Sequence, residues 1–89
     1  IQEIYLSETV EIVMGSLVYE RETPLTIYIP ESVVEIQPEH PDKDNRLVYE
    51  GMEYVTLVVE KGSYGETYAK EMAEAYGCKY EVVEEIKYP

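Results

Sequence analysis

Ser63-Tyr64-Gly65-Glu66, followed by Gly77, is the feature that most constrains what this chain can fold into. The first four residues fit a capping box. The serine hydroxyl can accept from the Glu66 N–H, and the Glu66 carboxylate can reach back to the Ser63 N–H. Gly77 stands where a left-handed residue ends a helix. The pair predicts a helix over residues 64–76, about 20 Å long. Its faces separate at the helical angle: Tyr64, Tyr68, Ala69, Met72, Ala73, Ala75 and Tyr76 on one half, Glu66, Thr67, Lys70, Glu71 and Glu74 on the other. Tyr68, Met72 and Tyr76 are expected inside, and Glu66 with Lys70 forms an i,i+4 pair in the favourable order.

Strand-like segments flank this helix. Residues 52–60 are rich in β-branched and aromatic side chains, with apolar groups on both faces, which predicts a central, covered strand. In residues 78–88, Cys78, Tyr80, Val82, Ile86 and Tyr88 share a face interrupted by Glu84. The connection is long enough for a crossover, so the two strands are expected to be parallel, in a β-α-β unit.

Upstream, the pattern predicts a β-meander. Residues 3–14 alternate as one long strand, bulged near Ser7-Glu8-Thr9. Gly15-Ser16 fits a two-residue hairpin turn that sets Met14 opposite Leu17 and Ile12 opposite Tyr19. Residues 25–29 form a strand with Leu25, Ile27 and Ile29 inward, bracketed by Pro24 and Pro30 as suits a sheet edge. Further strands are expected at residues 33–37 and 47–49, and no segment is read as a repeat of another. The fold class expected is α+β: a mostly antiparallel, twisted sheet with one helix on one face. One helix cannot cover such a sheet, so it must curl into a partial barrel or pair with another subunit. Tyr5, Val13, Val18, Tyr28, Val33, Tyr54 and Val58 are the second-face residues left to be hidden.

Composition narrows function more than it names it. Eighty-nine residues make one domain, and no apolar run is long enough to span a membrane. A net charge of −12 argues against direct binding to nucleic acid or anionic membranes and permits a basic partner. A single cysteine excludes an intrachain disulfide, and no signal-peptide pattern opens the chain, so a cytoplasmic location is expected. Abundant Glu with few amide side chains suggests a thermophilic source.

Residues 39–45 gather Glu39, the single histidine His40, Asp42, Asp44 and Asn45. Oxygen-rich loops bind hard cations. Here Arg46 takes a ligand position and Leu47 the required glycine position of a calcium loop, so no metal or other cofactor is expected. Cys78 and His40 offer a thiol–imidazole pair only if the fold unites them. No nucleophile elbow, P-loop or dinucleotide fingerprint occurs, and the chain is read as non-enzymatic. Ten tyrosines without Phe or Trp leave two readings, core filling or interface. Tyr5, Tyr28 and Tyr54, opposite their strands' main apolar rows, are the candidate interface residues. The leading function is an interaction protein that self-associates as a homodimer or binds a basic protein partner. The rival is an acidic nucleic-acid mimic of the mobile-element kind, which needs its carboxylates in one continuous band.

Overall fold

A computed structural model describes residues 2–89. Eight strands, β1 (Gln2–Tyr5), β2 (Ile12–Met14), β3 (Val18–Glu20), β4 (Leu25–Ile29), β5 (Glu35–Gln37), β6 (Val48–Glu50), β7 (Val55–Glu60) and β8 (Lys79–Val83), accompany a short 3-10 turn, Met52–Tyr54, and one helix, α1 (Tyr64–Tyr76). The expected antiparallel meander is wrong. Every described pairing is parallel: β1-β4-β7-β8 form one sheet, β2-β5 a second and β3-β6 a third.

The chain visits the three sheets in rotation, so consecutive strands never pair. It winds as a coil around one core. Gln2 lies beside Leu25 and Ile12 beside Glu35, a spacing of 23 residues in both sheets. Val18 lies beside Val48, a spacing of 30 residues, because the 39–45 loop adds seven. Thr56 beside Lys79 returns the spacing to 23. The first coil is β1-β2-β3 and the second is β4-β5-β6. In the third, α1 replaces the second and third strands.

The corner at Gly15-Ser16 shows why no hairpin forms. A hairpin turn of the expected type needs positive φ at Gly15, yet it is Ser16 that is left-handed, at φ 56°. Gly15 is required for close approach instead: a Cβ there would lie 2.9 Å from the Arg46 carbonyl oxygen. The Gly15 N–H donates to Gln37 O at 2.6 Å and the Ser16 N–H to Arg46 O at 2.7 Å, which pins the corner to the coil stacked on it. The long strand expected over residues 3–14 is likewise two strands with a corner between them. Pro24 and Pro30 flank β4 without interrupting its ladders, so β4 is central rather than at an edge.

The core runs along the coil axis. Ile27, Ile29, Val33, Leu47, Val48, Leu57 and Val59 are wholly buried. Val13 and Val33, expected on an outer face, point inward. β7 is central and covered on both faces, as its composition predicts. On β8 the apolar row is less buried than expected: Cys78 is inside, but Tyr80 and Val82 are exposed, because no second and third sheets continue beside that strand.

The outer face of the four-stranded sheet is covered by the chain's own tail. Buried Ile86 lines one groove with Tyr5, Tyr28 and Val58. Tyr88 packs against Tyr5, with ring centroids 5.7 Å apart, and its hydroxyl donates to Leu6 O at 2.8 Å. The Leu6 N–H donates to Tyr28 O, so the ladder would next bring the N–H of residue 30 to Leu6 O. Residue 30 is proline and has no N–H. The Tyr88 hydroxyl takes its place. Tyr88→Phe should therefore cost about 1 kcal/mol, measured by urea unfolding. No measurable loss would show that water serves Leu6 O equally well. Glu60 holds the same tail: its buried carboxylate accepts from the Glu31 N–H at 2.6 Å and the Ile86 N–H at 2.9 Å.

Candidate functional site

The two ends of the coil differ, and the difference defines the candidate site. Strand edges present unpaired N–H and C=O groups that must find partners when buried. At the end of the second coil, α1 supplies them. The Ile36 N–H donates to the Tyr64 hydroxyl at 3.0 Å, and Ile36 O accepts from the Asn45 side chain at 2.9 Å. The Leu47 N–H donates to the Tyr68 hydroxyl at 3.0 Å, which donates onward to Asn45 O at 2.7 Å. Burial, the largest influence, raises the Tyr68 pKa and keeps the hydroxyl protonated for that second bond. Tyr68, Ala69 and Met72 fill the space beneath. Tyrosine here is more than a substitute for phenylalanine, because the hydroxyls close the ladder.

The helix that does this is built as its sequence predicts. The Ser63 hydroxyl accepts from the Glu66 N–H at 3.2 Å, Gly77 is left-handed at φ 77°, and Lys70 pairs with Glu66 at 3.0 Å. One detail of the box differs. Glu66 accepts from the Gly62 N–H, because the Ser63 N–H is taken by Glu60 O. Tyr76 is half-buried rather than buried. Its hydroxyl bonds Asp44, which also accepts from Arg46 Nε at 2.8 Å.

At the other end, β1, β2 and β3 each have a neighbour on one side only. Backbone groups alternate in direction along a strand. The N–H groups of Leu6, Gly15 and Val18 donate toward the second coil, so Tyr5, Met14 and Tyr19 aim theirs at the open side. Exposed apolar side chains lie beside that edge: Ile12 (54 % exposed), Met14 (47 %), Leu17 (44 %) and Tyr19 (59 %). They make up half of the large exposed hydrophobic residues among the described residues, gathered on the coil that no helix covers. Alternation in the sequence marks these side chains as strand residues. It does not reveal that their strands lack a second neighbour.

The candidate interface tyrosines fall in two places. Tyr5 and Tyr28 stack, with centroids 4.0 Å apart and planes 5° from parallel. The Tyr28 hydroxyl donates to Glu3 at 2.6 Å, a bond that pushes its pKa well above the usual value. With Tyr88 beside them, both are largely engaged within the chain. Tyr54 stands apart, exposed at the end of the 3-10 turn in a cleft lined by Glu20, Arg21, Glu22, Glu50 and Glu53.

The 39–45 loop is anchored to the outer face of β3-β6. Lys43 pairs with Glu39 at 3.0 Å and sits over the Tyr49 ring at 4.5 Å, while Arg46 lies between the Tyr49 and Tyr76 rings. Among the described residues no group of three or more His, Cys, Asp or Glu side chains is placed to hold a metal ion. His40 is exposed and Cys78 buried, and burial raises the Cys78 thiol pKa, which disfavours the reactive thiolate. Among the described residues no helix is long and apolar enough to cross a membrane. Compared with family models, curated proteins and solved structures, the chain matches none.

Proposed function

We propose that this chain is a non-enzymatic interaction protein and that the open end of its first coil is the associating surface. One observation carries the reading: α1 closes the second coil with side-chain hydrogen bonds, whereas the first coil ends on three strand edges with exposed apolar residues beside them. Edges of this kind bind by strand addition, in which main-chain bonds supply affinity and alternate side chains supply specificity. The carboxylates weigh against a nucleic-acid mimic. Glu3, Glu20, Glu35, Glu50, Glu71 and Glu81 stand exposed on all three sheets and the helix rather than in one band.

Sedimentation over a concentration series at low and high salt tests this, and the sign of the salt effect identifies the partner. Self-association brings like charges together and should strengthen with salt. A basic partner, represented by a peptide of alternating Lys and Val, should bind more weakly as salt rises. Met14→Lys leaves the core intact and should weaken self-association by about tenfold or more, by placing a charge at the joint. A monomer at every salt, with no peptide binding and no effect of the substitution, would remove the reading.

A further inference from the structure

The open end has the form of an unfinished coil-on-coil joint, and the finished joint lies directly above it. Ile27, Ile29, Val33 and Val48 of the second coil are 0 % exposed, because the first coil lies across them. Their register equivalents one coil down are Ile4, Leu6, Val10 and Val18. Those four pack against the same core but are only half-buried. The side chains match. What differs is the presence of a coil beneath.

We infer that the open end is a seat for a further parallel coil of the same 23-residue kind, made of strand, corner, strand, corner and strand and supplied by another stretch of polypeptide. This deepens the proposed function and rests on it. A single added strand would serve only one of three edges, which lie on different sides of the core, and would leave the centre uncovered. A second copy meeting this one about a two-fold axis presents the same patch to itself. It would set Glu3, Glu8, Glu11, Glu20 and Glu22 against their own images, and the one cation nearby, Arg21, is already bonded to Gln2, Thr23 O and Pro24 O.

A further coil instead continues what is there. Its inner positions would be apolar, to cover Ile4, Leu6, Val10 and Val18. Planar side chains would extend the Tyr5–Tyr28 and Tyr19–Tyr49 stacks, the latter with centroids 5.2 Å apart. Lys or Arg would suit the place beside Glu20, which already lies next to Glu50 in register.

The test is to append a duplicate of residues 2–24 to the N-terminus of the full chain, with lysine in place of the duplicated Glu8 and Glu20. A control extension carries asparagine at its four inner apolar positions. Hydrogen exchange at the amides of Tyr5, Met14 and Tyr19 reports whether the joint forms, and protected amides in β4 and β7 confirm that the parent domain is folded in both chains. The apolar extension should slow exchange at the three amides by about tenfold or more and raise the thermal midpoint, while the control does neither. Equal exchange in the two chains overturns the seat. If the unextended chain still associates, and Met14→Lys weakens it, the open end binds something other than a coil and only this inference falls. If it does not associate either, the proposed function falls with it.

Discussion

Tyr68→Phe removes one oxygen atom and should destabilise the protein by roughly 2–4 kcal/mol, as the Leu47 N–H and Asn45 O each lose a partner at about 1–3 kcal/mol apiece. The site is sealed: Tyr68 is 1 % exposed, so water cannot readily replace the hydroxyl. The ring stays and the packing volume is nearly unchanged, which separates the hydroxyl's contribution from that of the aromatic body. Urea unfolding of both proteins measures the difference as a lower midpoint at constant slope. Tyr64→Phe, which frees only the part-buried Ile36 N–H, should cost less. A loss below about half a kcal/mol for Tyr68→Phe would mean that the ladder end relaxes to find other partners, and that α1 acts by apolar cover alone.

Met72→Ala tests that cover. Met72 is 7 % exposed and belongs to the core cluster with Tyr68 and Ala69. Truncation removes buried surface and leaves a void between helix and coil, for an expected loss of about 2–5 kcal/mol. The upper part of that range applies if the helix cannot settle closer. Gly65 opposes settling, because a Cβ there would already lie 3.0 Å from Ile29, so helix and coil meet at nearly their closest distance. A loss under about half a kcal/mol would place this helix face outside the core. The two substitutions share one helix and one cavity, so the double variant should not be additive.

Most of what could be read from the chain lay in local signals. The repeat was also present, although expectation ran against it. Leu17-Val18-Tyr19-Glu20 recurs unchanged as Leu47-Val48-Tyr49-Glu50, and Glu8-Thr9-Val10 returns as Glu31-Ser32-Val33. The two pairs have different spacings because the 39–45 loop intervenes, and the unequal periods hide the coil. A fixed period is the usual signature of stacked coils. Here the period holds at 23 residues in two sheets and is interrupted by seven residues in the third.

The amino-acid sequence by itself determined α1 to the residue, its serine and glycine ends, the buried central strand β7, the parallel relation of β7 and β8, and the inward row Leu25, Ile27 and Ile29. These follow from interactions spanning a few residues: caps, helical periodicity, alternation along a strand. The tertiary structure decided which strand pairs with which. Alternation states which side of a strand is buried, but a backbone N–H bonds equally well to a parallel or an antiparallel neighbour. The choice was made at the corners, where Gly15 fits beneath Arg46 and Gln37 and sends the chain onward around the core instead of back along β2. From that choice came the closed end under the α1 tyrosines and the open end at β1, β2 and β3. Neither end can be seen in any stretch of sequence, because an edge is defined only by the neighbour that is present or missing.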